Sequence, residues 1–308
     1  MKIGVALPTV GLDHSAELLM PVAEAAERLG FDSVWATDHA LMSYARRSEY
    51  PYARSGTEIG MNPGIEWLEP LSTLSYVAAG TERVRVGTSV LVLPYRNPIL
   101  VASQAATLHL LSGDRLILGV GAGWMREEFE ALGLDPAERG ARTDEYLAVL
   151  RTLWRDDPAA HDGRFVSFDE VVLGLSPRES VPPLWVGGNT RPALRRSLRY
   201  GDGWHGFEVY SEEVPEIRSE LDELGDEVGR DPAELELSVV RGMVPSGREE
   251  ESLIEGRRNL GASAGEMVEE LGRYEDAGVG LVVLQVSLLA PLMPEGMEWF
   301  AGEVMSQF

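Results

Sequence analysis

Asp38 and His39 stand together at the end of a short apolar run, 33–37, so a carboxylate and an imidazole meet at the tip of a predicted strand. An imidazole there can give or take a proton near neutral pH. Asp38 capping the next segment, with His39 bonded to backbone, would use the same two residues. Downstream, Gly187-Gly188-Asn189-Thr190 precedes a helical stretch. Free amides, the positive end of a helix dipole and a hydroxyl then converge on one point, the chemistry of a phosphate cradle and equally of a plain helix cap. Arg191, Arg195, Arg196 and Arg199 follow on that helix and add positive charge there or face solvent.

Gly87-Thr88-Ser89-Val90 interrupts a third apolar run, which marks a bulge, a close ligand approach or a tight spot against a helix. Gly119-Val120-Gly121-Ala122-Gly123-Trp124 closes a fourth, and its small residues let backbone approach a flat or anionic ligand. This is not the dinucleotide fingerprint, because it opens no first strand–helix–strand unit. Neither a Ser/His/Asp set nor a spaced carboxylate pair competes, and no metal site is expected.

These residues need a scaffold that brings strand ends together. Short β-branched runs alternate with stretches of helical period along the chain, the pattern of a parallel sheet wrapped by helices. The strands are expected at 3–7, 33–37, 84–93, 115–120, 183–186, 203–207, 235–240 and 280–286. Helices are expected at 19–29, with Asp13 or Ser15 as cap, and at 67–79, 99–111, 125–132, 141–154, 191–199, 212–228 and 266–277, with one more at the terminus. Eight such units take about 250 residues and leave roughly 60 for excursions. Two irregular segments supply them: a polar, aromatic loop over 41–65 after strand 2, and a segment with a hairpin over 161–173 before strand 5. The expected fold is therefore α/β, a single (β/α)8 TIM barrel over residues 1–308, with its chemistry at the carboxyl ends of the strands.

Composition agrees with a large globule: 308 residues, 44% apolar and 25% charged. With 50 acidic against 27 basic residues the net charge is -23, a field that repels nucleic acid and anionic lipid. Lys2 is the only lysine, so the other basic residues are arginines. The acidic stretch 211–231 raises adaptation to salt as a hypothesis, which activity independent of molar salt would remove. Cysteine is absent, so thiol chemistry and thiolate metal sites are out. Met1 leads directly into a strand, and no run approaches the roughly 18 apolar residues of a membrane span, so a cytoplasmic protein without membrane contact is expected.

At these same residues the chain resembles the luciferase-like monooxygenase superfamily, and within it the branch of oxidoreductases that use the deazaflavin coenzyme F420. The resemblance runs through nearly the whole chain. Its most specific blocks are Gly30 to His39, Val86 to Pro94, Leu111 to Leu116 running into Leu118 to Trp124, and Pro183 to Gly188 with Asp202-Gly203-Trp204. It implies a tricyclic ring in the barrel mouth, propped by a strand-three bulge whose Ser89–Val90 peptide is cis. It also implies that Asp38 and His39 flank the ring, that Gly121, Ala122, Gly123 and Trp124 lie along it, and that amides from Gly187, Gly188, Asn189 and Thr190 hold a phosphate.

The activity so implied is hydride transfer between the deazaflavin and a small organic substrate. His39 is the expected proton donor or acceptor. A sugar-phosphate-oxidising member has glutamate where this chain has Trp124 and asparagine where it has Glu127, so Glu127, or Glu128 beside it, is the expected substitute acid. Trp35, Trp124, Tyr44 and Tyr50 point to an apolar or aromatic substrate under the 41–65 loop. The alternatives are an FMN-dependent monooxygenase using reduced flavin and dioxygen, and a non-catalytic flavin- or deazaflavin-binding protein. A sugar-phosphate isomerase would need a base and a phosphate loop that the sequence does not offer. A reductase supplying F420 or flavin electrons and a homodimer are the expected partners.

Overall fold

The computed structural model describes residues 1–11, 15–52, 66–174, 180–243, 258–286 and 293–308. Eight parallel strands follow one another around a closed barrel: β1 (Lys2–Ala6), β2 (Ser33–Ala36), β3 (Arg85–Thr88), β4 (Leu116–Gly121), β5 (Leu184–Gly187), β6 (Gly203–Phe207), β7 (Glu236–Met243) and β8 (Leu281–Val286). β8 returns to β1 with Leu284 opposite Val5, and β4 meets β5 with Gly119 opposite Trp185. Around them lie α1 (Ser15–Leu29), α2 (Pro70–Ala79), α3 (Pro98–Leu111), α4 (Arg126–Ala131), α5 (Arg139–Arg155), α6 (Arg191–Tyr200), α7 (Val214–Val228), α8 (Ala264–Asp276) and α9 (Met293–Glu303). This is the expected (β/α)8 barrel. The second irregular segment contains the expected hairpin, Ala159–Asp162 against Ser167–Val171. Asp13, proposed as a cap, and positions 53–65 of the long loop lie outside the described residues. No helix among the described residues is long and apolar enough to cross a membrane.

Side chains alternate across each strand, so every second residue points into the barrel. Trp35, Ile117, Trp185, Val240, Leu281 and Val283 form a separate apolar cluster inside it. Trp35 and Trp185 lie 5.5 Å apart, centroid to centroid, and Trp35 stacks on His205 at 4.9 Å. Such large rings fit only where the facing residues are small. A Cβ on Gly87 would stand 2.5 Å from the Trp35 indole, and one on Gly203 would stand 2.7 Å from the Trp185 indole nitrogen. The glycine in strand three therefore makes room for a tryptophan inside the barrel, neither for a ligand nor for a helix.

The third strand is not continuous over 84–93. It breaks after Thr88 and resumes as Leu91–Val92, which pairs with Val120 and Gly121 of β4. Between the two pieces the Ser89–Val90 peptide is cis, the geometry that the resemblance implies for this bulge. Val90 then sits between two strand ends, because a Cβ on Gly121 or on Gly187 would each fall 2.6 Å from one of its methyls. The Thr88 carbonyl approaches Gly119 closer still, where a Cβ would be 2.0 Å away.

These contacts set apart two kinds of required glycine. Gly187→Ala should destabilise the fold by ~2 kcal/mol through overpacking, and Val90→Ala in the same chain should restore most of that loss, since the obstacle is a side chain. Gly119→Ala should cost at least as much and stay unrescued by Val90→Ala, since its obstacle is main chain. Urea unfolding of the four variants measures both.

Candidate active site

A cavity of about 610 Å³ opens at the carboxyl ends of the strands, within the usual size range of a small-molecule site. Val90, Gly121, Ala122 and Gly123 contribute to its apolar lining, and His205 and Gln285 bring polar groups to it. Six aromatic rings run in contact around the opening: Trp67 against His39 at 4.5 Å, His39 against Trp124 at 5.9 Å, Trp124 against Tyr50 at 5.3 Å, Tyr50 against Tyr52 at 5.6 Å and Tyr52 against Phe207 at 4.9 Å. A flat ring and an apolar substrate both suit such walls.

Alternation along β2 sends Trp35, Thr37 and His39 inward and Asp38 sideways. Asp38 is buried, and its carboxylate accepts the Val92 amide at 2.8 Å and both terminal nitrogens of Arg96 at 2.6 and 2.9 Å. It anchors the restart of strand three, so its acid oxygens are committed to protein donors. His39 turns to the cavity with its Nδ1 2.7 Å from Glu128 Oε2. The same carboxylate accepts the amides of Ala40 and Leu41, at 2.6 and 3.3 Å, and the Tyr95 phenol at 2.9 Å. Tyr95 stays a donor, because burial first and the Glu128 charge second push its phenol well above the ordinary range. With every other partner of Glu128 donating, His39 donates from Nδ1 and presents Nε2 to the cavity. This can hold or deliver one proton at a fixed place.

Glu127, the acid expected from sequence, points elsewhere. Its oxygens accept the amides of Arg47 at 2.6 Å and Ser48 at 3.2 Å, and the Ser48 hydroxyl at 2.8 Å. It fastens the start of the long loop, and Glu128 is the residue beside His39. Helical geometry separates the two, since adjacent residues of α4 diverge by about a quarter of a turn. Two expected substrate residues are also corrected. Trp35 is fully buried beneath the cavity, inside the barrel, and Tyr44 is 90% exposed and absent from the lining.

The opposite end of the cavity is lined by Gly188, Asn189, Thr190, Pro192 and Ala193 at the start of α6. Gly188 takes φ +118, but its amide, expected to meet the phosphate, donates to the His205 carbonyl at 3.3 Å. Pro192 has no N–H and the Ala193 amide donates to the Thr190 carbonyl at 2.8 Å, so among the described residues the Thr190 and Arg191 amides are the ones at this helix start left for a ligand. The Asn189 side chain does not serve a ligand: its Nδ2 donates to the Phe207 carbonyl at 2.7 Å and its Oδ1 accepts the Phe207 amide at 3.0 Å. Thr190 is the N-cap and its hydroxyl makes no capping bond, which leaves it for a ligand. Arg196 lines the same end but is bound to Asp144 at 2.7 and 3.2 Å, whereas Arg191 and Arg195 pair with Glu227 of α7. Arg139 is the other arginine at this end. Amides, a hydroxyl and a guanidinium therefore fit an anionic tail, and the apolar, glycine-flanked lining fits a planar ring.

Sequence reasoning missed His205, Tyr95, Arg96 and Trp67. His205 was within reach, because in β6 residues 203, 205 and 207 share the inward parity. The other three lie on connections whose approach to His39 and Asp38 no local pattern encodes. Among the described residues, no group of three or more His, Cys, Asp or Glu gathers as metal ligands would.

Barrel, bulge and mouth together define a luciferase-like oxidoreductase site. Residues 1–280 match the luciferase-like monooxygenase family, and the chain belongs to it. It is 33% identical to the phthiodiolone/phenolphthiodiolone dimycocerosates ketoreductase of Mycobacterium tuberculosis over 246 residues, 77% of this chain and 63% of that protein, so it spans less than two thirds of that relative. It is also 33% identical, over 229 residues, to an uncharacterized Mycobacterium tuberculosis protein, covering 74% of this chain and 78% of that one. Among solved structures, an F420-dependent secondary alcohol dehydrogenase in complex with an F420–acetone adduct superposes with TM-score 0.80 at 20% identity, covering 99% and 98% of the two chains. The monooxygenase RslO1 from Streptomyces bottropensis superposes with TM-score 0.79 at 22% identity, covering 100% and 99%.

The Glu127 contacts carry a pH signature. Burial would raise its pKa, but the Arg47 amide and the Ser48 hydroxyl and amide outweigh that and hold it down at about 2 against an ordinary 4.5. A carboxyl depressed in the fold stabilises it fully above the unfolded value and loses that contribution as pH falls through the folded value. Glu127→Gln should thus lower stability by ~2 kcal/mol at pH 7, and the gap to the unaltered protein should close between about pH 5 and pH 2, read by unfolding across that range.

Proposed function

We propose that the protein is an F420-dependent oxidoreductase that interconverts a carbonyl and an alcohol on a small apolar or aromatic substrate. The observation that carries this reading is His39 in the cavity lining with its Nδ1 held at 2.7 Å by the buried carboxylate of Glu128, which leaves Nε2 as its reactive nitrogen. When a hydride moves at carbon, a proton must move at oxygen, and one oriented imidazole supplies or accepts it. The bound deazaflavin would supply the hydride chemistry. Of the chain's own residues, the amides of Thr190 and Arg191 with the Thr190 hydroxyl would hold its phosphate, and Val90 with Gly121 would support its ring. The aromatic rings from Trp67 to Phe207 would exclude water and select an apolar substrate. The ketoreductase and the alcohol dehydrogenase similar to this chain support carbonyl chemistry, and a separate F420 reductase is the implied partner.

The second reading, an FMN-dependent monooxygenase, is favoured by the shape shared between the two cofactors and by the fold shared with RslO1. Titration of the protein with F420 and with FMN, followed by fluorescence, separates them. Binding of F420 and substrate reduction without oxygen uptake is the expected result, and tight FMN binding with substrate-coupled oxygen consumption would reverse the assignment. His39→Ala should lower kcat/KM by about 10²- to 10⁴-fold while leaving cofactor affinity nearly unchanged. Loss of affinity instead would make His39 a binding residue.

We also propose a homodimer through α2 and α3. Helix α3 is apolar on nearly all sides, yet Leu100 and Leu111 are exposed on it and Tyr76 on α2. A helix apolar all round is ordinarily covered. Light scattering should give twice the chain mass, and Leu100→Glu with Leu111→Glu should halve it.

A further inference from the structure

Beneath the cavity three side chains form a chain of hydrogen bonds that the reading above does not use. Ser238 Oγ lies 3.0 Å from the Trp204 carbonyl, His205 Nδ1 lies 2.7 Å from Ser238 Oγ, and Ser89 Oγ lies 2.9 Å from His205 Nε2. Ser238 and His205 are buried, the former completely, and only Ser89 and His205 reach the cavity lining. The direction of these bonds follows from counting hydrogens. A carbonyl only accepts, so the single Ser238 hydrogen goes to Trp204, and Ser238 must accept from Nδ1–H. A neutral imidazole has one N–H, so Nε2 is bare and takes the hydrogen of Ser89.

Among the described residues, Ser238 and Ser89 are the partners of the two imidazole nitrogens. Trp35 stacks on one face of the imidazole at 4.9 Å, Trp185 lies beside it at 6.1 Å and tilted by 44°, and burial alone holds its pKa down at about 3. It therefore stays neutral throughout the working range and the order of the bonds persists. Ser89, on the bulge beside Val90, has its hydrogen directed down into the barrel, and among the described residues no donor occupies its lone pairs.

Resting on the cofactor reading above, we infer that Ser238 and His205 fix Ser89 as a hydrogen-bond acceptor toward the cavity, so that the planar ring is held there through one of its own N–H groups. Ser89 is then a binding residue that distinguishes a ring edge carrying N–H from one offering only carbonyl oxygen or bare nitrogen. Ser238 and His205 are positioning residues that act through it. A flavin and a deazaflavin share the pyrimidinedione with its imide N–H, and a ring methylated at that nitrogen offers no donor there.

Two measurements test this. The nitrogen resonances of His205 in the ligand-free protein should show a protonated Nδ1 and a bare Nε2, and the opposite tautomer overturns the inference. In fluorescence titrations with F420 and with FMN, Ser89→Ala should weaken whichever ring the protein binds by about 3- to 10-fold, the worth of one hydrogen bond. Ser238→Ala, remote from the cavity, should weaken it similarly, and the double variant should be no weaker than Ser89→Ala alone. Unchanged binding by Ser89→Ala, or losses that multiply in the double variant, would overturn it. Where Ser238→Ala unfolds, Ser238→Thr should keep the tautomer and the affinity of the unaltered protein, and loss of either counts against the relay. Binding of neither cofactor by the unaltered protein removes the functional reading itself, while the His205 resonances still decide the acceptor assignment.

Discussion

The mouth of this barrel is organised by one wedge, the side chain of Val90 pressed between the ends of β4 and β5. Because a β-branched side chain has little rotameric freedom, its methyls set the distance to Gly121 and Gly187 and leave no space for a Cβ on either. The bulge that presents Val90 is held in turn by main-chain and carboxylate bonds, with the Ser89 amide on the Ala36 carbonyl at 2.8 Å and the Val92 amide on Asp38. The cavity thus has a floor built from strands, and a site on such elements is placed more precisely than one on loops.

Charge is distributed to match. Although the chain carries a net -23, the buried carboxylates Asp38, Glu127 and Glu128 are spent on protein donors: Asp38 on Arg96 and Val92, Glu127 on residues 47–48, Glu128 on four donors from two segments, 39–41 and Tyr95. A buried acid without such partners would be costly. The cavity consequently receives no carboxylate free of protein donors from these three residues, and His39 is the group held beside one of them to exchange a proton. The arginines of α6 show the same economy. Arg191 and Arg195 meet the glutamates of α7, so part of the acidic stretch 211–231 is neutralised by neighbours that looked, by position alone, like ligands for a phosphate.

Most of the fold was legible because period carries it. Alternating apolar runs located all eight barrel strands to within a residue or two at most ends, and amphipathic stretches located the helices between them. The discontinuous third strand was the exception in shape, since a bulge keeps the apolar character of the run on both sides and only the pairing with β4 shows the break. The bulge expected around Gly87 is present at Ser89–Val90, but the role of Gly87 itself was not legible, for a related reason. A small residue signals that something approaches closely, and nothing local says whether that is a ligand, a helix or, as here, the indole of Trp35.

The order of residues along the chain was enough to specify a parallel barrel, an interruption of the third strand at 87–90, the glycine-rich strand ends and the place of His39 at a strand tip, because these follow from repeats of two and of 3.6 residues and from residue size, while the Ser89–Val90 position of the bulge came from the resemblance. Packing decided the rest. That Glu128 and not Glu127 reaches His39, that Asp38 belongs to Arg96, that Trp35 lies below the cavity and that His205 sits between two serines are all contacts between segments tens of residues apart. Such contacts depend on how the strands are staggered around the closed barrel and where each connection crosses its rim, and no short stretch of sequence contains that information.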